Sequence, residues 1–420
     1  MTGNGNTALG IYVSIPFCRS KCTYCNFASG VYPAADHERY VDRLVEDLSG
    51  ARAWAERVEA ELPQGVDTVY LGGGTPTLLA PELLARLFNS IRAQFDLDAD
   101  AEITMECAPG QLADATLEAI VVAGVNRVSL GVQSFVDSEA HASGRLHSRT
   151  IVEGDLRRLH AAGIANLNVD LIAGLAGQTF VSWEESLEAL IDLGVPHASV
   201  YMLEVDEDSR LGREMLKGGV RYRADLVPDD DAIARMYESA IERLEKAGLT
   251  QYEISNFARP GHESKHNQRY WQRRPYFGLG LDASSMLRSM TSHAAAPLFG
   301  GADQINQSFV LRFTTTDDLK EYLAGPASPE TTRLSPARQF EEAWFLGLRM
   351  NEGVDIAALS QEFGVERFVS AMETVERLVD DGLLVADGAR VRFTSRGRLL
   401  SNDVFQEFLE SEVATVTSDR

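Results

Sequence analysis

The chain has 420 residues, of which 45% are hydrophobic and 24% are charged, a composition typical of soluble globular proteins. It carries 39 Lys and Arg residues against 62 Asp and Glu residues, so its formal net charge is −23. That acidic balance argues against nucleic acid and anionic membrane surfaces as partners, because both attract basic protein faces. At this length we expect two or three domains.

The sequence shows neither a membrane segment nor a secretion signal. No apolar run approaches the roughly 18 residues that a membrane span needs, and the polar first residues lack the basic stretch and apolar core of a signal peptide. We therefore expect a cytoplasmic protein. Of the four cysteines, three lie between Cys18 and Cys25. In a reducing compartment such clustering favours metal binding or catalysis over disulfides.

Alternating strand and helix patterns fill the first half of the chain. The predicted strands are Ile11–Pro16, Thr68–Leu71, Glu102–Glu106, Arg127–Val132, Asn166–Ile172 and Ala198–Leu203, and the predicted helices cover residues 36–60, 81–95, 112–123, 149–162 and 180–193. Such alternation is typical of βα units around a parallel sheet. These strands are too few for an eight-stranded barrel. We therefore predict an α/β fold built as a partial, open parallel β/α barrel.

The pattern changes in the second half. A charged helix is predicted over 229–247, and residues 291–308 are predicted to be weakly structured. From about residue 335 a separate module begins, with helices near 336–350, 355–363, 366–381 and 395–411 and a hairpin of Leu383–Ala386 and Arg390–Thr394. The Asp-Gly pair between the hairpin runs is a turn signal, so this module resembles a winged-helix-like α+β domain. We predict a barrel core over 1–205, a barrel-completing region over 206–308 and a C-terminal domain over 309–420.

The strongest local signal is the C-x₃-C-x₂-C run of Cys18, Cys22 and Cys25, directly after the first predicted strand. Thiolates are the usual ligands of iron–sulfur clusters, and four irons normally take four of them. Three thiolates would leave one iron of a [4Fe–4S] cluster open to an outside ligand. The alternatives are a zinc site completed by Cys107 or a histidine, and a loop of reduced cysteines. Zinc sites usually contain C-x₂-C pairs, so the spacing favours iron and sulfur.

Glycines and isolated polar residues lie at the ends of the following strands. Gly72–Gly74 come after the second strand and let the backbone approach a ligand that a Cβ would block. Glu106, Gln133 and Asp170 lie in apolar strands, where each needs a partner, either a ligand or a neighbouring loop. Strand alternation points Cys107 away from Glu106, so we expect this cysteine to be buried and inert.

The cysteine run has Tyr12-Val-Ser-Ile-Pro-Phe before it and Leu71-Gly-Gly-Gly-Thr-Pro after the next strand, and together these segments resemble the radical S-adenosylmethionine (SAM) superfamily. The resemblance implies a [4Fe–4S] cluster held by Cys18, Cys22 and Cys25, with SAM at the open iron and an electron donor as partner. It also implies that the glycine loop meets the amino group of SAM. The residues implied to contact SAM are Tyr12, Tyr24, Gly72, Gly73, Gly74, Thr75, Glu106, Gln133, Arg145 and Asp170.

Over nearly its whole length the chain is similar to the oxygen-independent coproporphyrinogen III oxidase group, which has two branches. The oxidases carry a fourth cysteine where this chain has Phe27, and the family usually has histidine where it has Ser14. The haem chaperone branch, called HemW, has phenylalanine at the position of Phe27 and adds an H-N-x-x-Y-W motif. An imidazole can bind haem iron and aromatic rings can pack on a porphyrin, so the resemblance implies His266, Tyr270 and Trp271 as haem residues. The alternative is a histidine packed within its loop.

The resemblance therefore implies a haem chaperone that carries haem to acceptor proteins such as respiratory enzymes, membrane-associated ones included. One alternative is an enzyme of porphyrin biosynthesis, oxygen-independent coproporphyrinogen III dehydrogenase, which decarboxylates two propionates oxidatively. Phe27, Ser14 and the histidine motif argue against it.

The other alternative is an interaction module in the C-terminal domain. The residues that give this region local basic character are Arg377, Arg390, Arg392, Arg396 and Arg398. Asp380, Asp381 and Asp387 lie among them, so a lid or a protein-docking domain is favoured over DNA binding.

Overall fold

The computed structural model describes residues 8–290, 309–325 and 329–409. The stretch 291–308, predicted to be weakly structured, lies outside the described residues. The chain forms two compact units. The first contains the described residues up to Tyr270 together with those of Arg274–Met290 and Leu311–Thr332. The second contains Trp271–Arg273, residues 309–310 and the described residues from Arg333 onward. No helix within the described ranges is long and apolar enough to cross a membrane.

A large sheet organises the first unit. Its strands are β1 (Leu9–Ile15), β2 (Ala60–Glu61), β3 (Gly65–Gly73), β4 (Asp96–Cys107), β5 (Arg127–Gln133), β6 (Asn166–Ala173), β7 (His197–Met202), β8 (Thr250–Gln251), β9 (Asn256–Ala258), β10 (Tyr276–Leu279), β11 (Ser284–Ser289), β12 (Val310–Thr314) and β13 (Glu330–Leu334). Their order is β13-β12-β11-β10-β1-β3-β4-β5-β6-β7-β9-β8, and β2 pairs with β11. From β10 to β7 every neighbouring pair is parallel. Strands β9 and β11 are antiparallel to β7 and β10.

This topology confirms the predicted partial, open parallel β/α barrel. The six predicted strands are β1 and β3 to β7. A further parallel strand, β10, pairs with β1 on the side away from β3, and its four residues were too short a run to be recognised in the sequence. The predicted domain boundary at residue 309 precedes β12, whereas the structure places Leu311–Thr332 with the first unit because β12 extends the sheet beside β11.

Helices alternate with the parallel strands. They are α1 (Ala34–Arg57), α2 (Pro81–Gln94), α3 (Asp114–Val122), α4 (Asp137–Ala142), α5 (Arg149–Ala161), α6 (Phe180–Asp192), α7 (Arg210–Leu216), α8 (Asp230–Lys246), α9 (Lys265–Trp271) and α10 (Leu319–Ala324). Helix α2 shows the sequence logic, since Pro81 occupies its first turn, where a missing N–H costs nothing. Its buried residues recur at three- and four-residue intervals, as an amphipathic helix requires: Leu84, Leu87, Phe88 and Ile91.

One face of the parallel sheet carries polar side chains and is called here the polar face. Strand register places Tyr12 beside Tyr70, Glu106 beside Ser129, and Ser129 beside Asn168. Because side chains alternate along a strand, the intervening aliphatic residues face the opposite way. These buried residues are Val13, Leu71, Met105, Leu130 and Val169.

The second unit has its own small sheet and aromatic core. Its elements are α11 (Pro336–Arg349), β14 (Val354–Asp355), α12 (Ile356–Phe363), α13 (Phe368–Asp380), β15 (Leu384–Asp387), β16 (Arg390–Phe393), α14 (Ser395–Leu399) and α15 (Ser401–Gln406). The sheet order is β14-β16-β15, and the Trp344 and Phe408 rings stack with centroids 4.8 Å apart. Three helices and a hairpin match the predicted winged-helix-like pattern. The predicted helix 395–411 is instead two short helices, because the backbone leaves helical geometry at Leu400.

Candidate functional site

The loop that carries the three clustered cysteines, the cysteine loop (residues 16–30), leaves the carboxyl end of β1 and is held against the glycine loop after β3. The backbone N–H of Gly74 donates to the Ile15 carbonyl at 2.8 Å, and that of Thr75 donates to the Phe17 carbonyl at 2.7 Å. A Cβ on Gly74 would lie 2.7 Å from the Ile15 oxygen, closer than real Cβ atoms approach. The glycine is therefore required for the two loops to pack together.

The other side of the cysteine loop rests on the chain that follows α4. The N–H of Thr23 donates to the Ser143 carbonyl at 3.0 Å. Gly144 has φ +93°, and a Cβ there would lie 3.2 Å from the Cα of Cys22. This close approach brings the next residue, Arg145, beside Tyr24 and Cys22. The predicted SAM residues Tyr24 and Arg145 thus lie together at the cysteine loop.

The three thiols of the loop are free and partly exposed. Burial raises the pKa of the Cys18 thiol, and the charges of Cys25 and Cys22 raise it further. Because burial and the neighbouring charges disfavour the Cys18 thiolate, bound metal would stabilise its deprotonated form and release a proton. Three thiolates on one loop are the donor set of an iron–sulfur cluster, so the residues fit the predicted [4Fe–4S] group. Within the described chain, no three His, Cys, Asp or Glu side chains are arranged to hold a single metal ion.

Cys107 lies apart from this chemistry, in keeping with its predicted buried and inert state. Its side chain is buried and accepts a hydrogen bond from the Thr77 hydroxyl at 3.7 Å. Burial raises the pKa of the Cys107 thiol to about 12, so it stays protonated at neutral pH. The Thr77 hydrogen bond and the Arg158 charge favour the thiolate less than burial disfavours it, so the form that metal binding needs is not the stable one here.

Glu106 at the end of β4 links the polar face to the glycine loop. Its Oε1 accepts a hydrogen bond from the Tyr70 hydroxyl at 2.9 Å, and its Oε2 accepts one from the Gly73 N–H at 3.1 Å. A Cβ on Gly72 would lie 2.8 Å from Oε1, and Gly73 has φ +97°. Burial raises the pKa of Glu106 to about 7, and the charge of Asp170 adds to the rise. An ammonium group at this carboxylate would offset both effects.

Asp170 has one hydrogen-bond partner on its own strand β6 and one on the neighbouring strand β5, and sequence reasoning identified neither. Its carboxylate accepts hydrogen bonds from the Ser129 hydroxyl at 3.1 Å and the Asn168 amide at 2.7 Å. Asn168 also pairs with Nδ1 of His197 at 2.6 Å. Burial raises the pKa of Asp170. The signal that could have revealed this network is the period-two run of polar residues Asn166, Asn168 and Asp170 in β6.

Gln133 and Arg145 show features of an incomplete ligand site. Pairing of β5 with β6 shifts register between Gly131 and Gln133, and Gln133 has φ +73°. A Cβ on Gly131 would lie 2.7 Å from a terminal nitrogen of Arg145, so the glycine gives the guanidinium access to the strand end. The Gln133 Oε1 is buried without a hydrogen-bond partner among the described residues. A buried polar atom of this kind indicates a missing partner.

Tyr12 lies on the same side of the site as Glu106. Its ring centroid is 6.1 Å from that of Tyr70. Burial raises the pKa of Tyr12, and the Glu106 charge raises it further. The structure thus gathers Tyr12, Glu106 and the glycine loop on one side, and Tyr24, Gln133 and Arg145 on the other.

His266 does not present a free nitrogen to haem iron, contrary to the role that the motif implied. Its Nδ1 lies 2.9 Å from the Thr68 hydroxyl and its Nε2 lies 2.9 Å from the Tyr270 hydroxyl. Burial lowers the pKa of His266 to about 3, so the ring is neutral, with one nitrogen donating and one accepting. Hydroxyl groups serve either role, and both tautomers are therefore satisfied. The alternative of a packed histidine describes this residue.

The rest of the motif is also committed to packing. Tyr270 is partly buried, and desolvation of its hydroxyl raises its pKa well above the usual range. The Trp271 indole belongs to the second unit, where the Arg349 guanidinium carbon lies 4.3 Å from its ring centroid. Neither ring forms an open wall for a porphyrin in this structure.

Helix α9 closes the amino-terminal end of the polar face, a role that the sequence did not indicate. The Glu102 carboxylate accepts hydrogen bonds from the N–H groups of Lys265 and His266, both at 3.0 Å. Arg269 is fully buried, donates to the carbonyls of Ala8 and Pro275 at 2.8 Å each, and pairs with Asp67. A Cβ on Gly10 would lie 2.4 Å from the Arg269 side chain. Gly10 therefore leaves the space that this arginine fills.

Comparisons with known proteins agree with this architecture. Residues 12–190 match the radical SAM superfamily, and residues 334–400 match the HemN C-terminal domain. A Lactococcus lactis protein named heme chaperone HemW is 32% identical, with 96% of this chain and 97% of that protein covered. The Mycobacterium tuberculosis protein of the same name is 33% identical, with 95% and 94% covered. The solved structure of Escherichia coli coproporphyrinogen III oxidase, HemN, shares the fold, with a TM-score of 0.79 at 22% identity and coverage of 96% and 90%.

Proposed function

Because the chain belongs to the HemW family of the radical SAM superfamily, we propose that it is a haem chaperone that also holds a [4Fe–4S] cluster and SAM. The observation that carries this proposal is Phe27, two residues after Cys25, which is 60% exposed on the cysteine loop. The resemblance places a fourth cysteine here in the oxidases. A phenylalanine cannot ligate metal and instead presents an apolar ring to the solvent.

We assign the cluster to Cys18, Cys22 and Cys25, whose loop is fixed by backbone hydrogen bonds to the glycine loop and to Ser143. When bound, the cluster and SAM together supply one-electron chemistry. The role of the chain is to present the three thiolates on one loop, although burial and the charges of Cys25 and Cys22 disfavour the Cys18 thiolate. The electron donor is a partner that this proposal requires.

SAM is assigned to the space between the glycine loop and Arg145. In this proposal the Glu106 carboxylate accepts the ammonium group of SAM, and the hydrogen bond from the Gly73 N–H, which orients the carboxylate, supports that role. The unpartnered Gln133 Oε1 is available for a further donor on SAM. The remaining residues of the proposed pocket are Tyr12, Tyr24, Gly72, Gly74, Thr75, Arg145 and Asp170.

Haem is the proposed cargo, and acceptor proteins such as respiratory enzymes are its proposed destination. Both ring nitrogens of His266 already have partners, so we do not assign the iron ligand to this residue. The proposal therefore needs a haem surface outside the H-N-x-x-Y-W motif.

The competing function is oxidative decarboxylation of coproporphyrinogen III, which the shared fold alone permits. The deciding experiment is to reconstitute the cluster anaerobically and to offer haem and coproporphyrinogen III in separate reactions with SAM and a reductant. Stable haem uptake without loss of carbon dioxide from the tetrapyrrole is the expected result. Decarboxylated product would overturn the chaperone assignment.

A further inference from the structure

A segment between β7 and α8, the arginine segment (Ser209–Leu226), lies next to the cysteine loop. The Leu211 N–H donates to the Thr23 carbonyl at 2.8 Å, and just before the segment Asp206 accepts a hydrogen bond from the Asn26 amide at 3.0 Å. At its other end the Leu226 carbonyl accepts from the Gly177 N–H at 2.8 Å. Gly177 follows β6, so both anchors are at carboxyl ends of the parallel strands. The segment therefore belongs to the same end of the sheet as the proposed cofactor site.

The charge of this segment is opposite to that of the chain. Over its 18 residues it carries five cations and two acids, Glu214 and Asp225, a local charge of +3 in a chain of −23. Among the described residues, Arg210, Lys217, Arg221 and Arg223 have no carboxylate within salt-bridge distance. Four cations without acidic partners, in a chain with a large excess of acids, indicate a surface kept free for an anion.

Exposed apolar side chains lie among these cations. Leu216 is 66% exposed and Val220 is 70% exposed. Leu226 is also exposed, and Phe27 projects from the neighbouring cysteine loop. Grouped apolar exposure of this kind marks a binding surface more often than chance. A ligand that covers it needs both a flat apolar body and negative charge.

The backbone of the segment is strained where the cations gather. Tyr222 and Arg223 adopt φ of 61° and 58° in succession, a left-handed conformation that side chains rarely adopt and that costs conformational free energy. The turn places the Tyr222 ring centroid 4.8 Å from the Arg221 guanidinium carbon and 5.5 Å from that of Arg210. This strained turn thus places two guanidinium groups against one aromatic ring at the surface.

We propose that the arginine segment and Phe27 form the haem-docking face of this protein, an inference that rests on the proposed function. Haem combines a flat apolar macrocycle with two propionates at one edge. The macrocycle would cover Leu216, Val220 and Phe27, and the propionates would pair with the free cations. Arginine and lysine form strong, charge-assisted hydrogen bonds to carboxylates.

The test is a titration of reconstituted full-length protein with hemin and with hemin dimethyl ester, followed in the Soret band. The charge variant Lys217→Glu/Arg221→Glu should weaken hemin binding roughly tenfold or more, and weaken the ester, which lacks propionate charge, much less. The apolar variant Leu216→Gln/Val220→Thr should weaken both ligands. Matched controls are Arg157→Glu/Lys246→Glu, which reverses the same two kinds of charge, and Val122→Gln/Val181→Thr, which makes closely similar apolar-to-polar changes, both at exposed positions elsewhere.

The outcomes separate this inference from the function beneath it. If hemin affinity is unchanged in both docking-face variants, the chaperone function is not contradicted, but the proposed haem-docking face is wrong. Equal weakening in the control variants would also overturn it, because the effect would be one of net charge or general stability. No hemin binding by the unmodified protein would contradict the chaperone function and the docking face together.

Discussion

Nε2 of the buried His266 and the hydroxyl of the partly buried Tyr270 lie 2.9 Å apart in the first unit. The same imidazole packs 5.2 Å from the Tyr70 ring, and the Tyr70 hydroxyl donates to Glu106. A chain of contacts thus runs from α9 through Tyr70 to the carboxylate beside the glycine loop. His266 and Tyr270 thus support the proposed SAM pocket indirectly, through Tyr70 and its hydrogen bond to Glu106.

This contact chain predicts that His266→Ala weakens SAM binding while the haem absorption bands stay unchanged. The substitution removes a buried ring and takes one hydrogen-bond partner from each of the Thr68 and Tyr270 hydroxyls, so we expect a loss of unfolding free energy of about 2–4 kcal/mol. SAM titration, the Soret band and chemical denaturation measure the three effects. His262→Ala, in the preceding loop, is the control and should leave all three unchanged.

A double-mutant cycle separates positioning from general damage. If His266 acts through Tyr70, its replacement should cost less SAM affinity in a Tyr70→Phe background than in the natural chain. Additive losses would contradict the contact chain. A shifted Soret band in His266→Ala alone would restore the histidine as an iron ligand.

The cysteine loop predicts that each of Cys18→Ala, Cys22→Ala and Cys25→Ala abolishes the broad visible absorption of a [4Fe–4S] cluster. Cys107→Ala is the internal control, because this thiol is buried and accepts a hydrogen bond from the Thr77 hydroxyl. Iron content and the visible spectrum after anaerobic reconstitution give the answer. Full cluster content in any of the three loop variants would end the assignment.

Glu106 predicts that SAM affinity falls as the pH drops below about 7. Burial and the charge of Asp170 raise the pKa of Glu106 to about 7 in the free site, and bound ammonium would lower it. Proton uptake therefore competes with SAM, and the affinity should fall by up to about tenfold per pH unit between the free and bound pKa values. The phenols of Tyr12 and Tyr70, with raised pKa values, stay neutral throughout.

The matched variant is Glu106→Gln, which keeps the shape of the side chain and removes its charge. It should lower SAM affinity at pH 8 by roughly ten- to a hundredfold and flatten the pH dependence. Glu118→Gln, exposed on α3, should retain both the affinity and the slope. Asp170 also has a raised pKa. If the pH dependence of SAM affinity persists in Glu106→Gln, the titrating group is Asp170 and not Glu106.

The packing of the glycine loop predicts that Gly74→Ala lowers cluster content and thermal stability. Its Cβ would lie within 2.9 Å of three backbone atoms of Ile15 and Phe17, so the two loops must separate. Gly154→Ala is the control, because no atom lies within 4 Å of a Cβ there. Within helix α5 that change should stabilise the protein by about 0.5–1 kcal/mol. Equal melting temperatures for the two variants would contradict the packing argument.

The features that sequence reasoning predicted are those encoded over short spans. Six parallel strands, the cysteine loop and the burial of Cys107 follow from apolar runs, spacing and strand alternation. The role of His266 could not be predicted, because its Thr68 partner is 198 residues away along the chain. Arg269 was missed for the same reason, since its space exists only where Gly10 lies opposite. Long-range partners of polar residues leave no periodic pattern in a single sequence.

The pairing of β1 with both β3 and β10 has a consequence for synthesis of the chain. Strand β1 ends at Ile15, but β10 begins at Tyr276. The edge of β1 that pairs with β10 therefore stays unpaired until some 260 more residues have been translated. At about 5–20 residues per second that interval is roughly 13–50 s. During it β1 exposes unpaired backbone groups, a recognised route to aggregation. The cysteine loop follows this strand directly. The sheet that supports the proposed metal centre is therefore complete only late in translation.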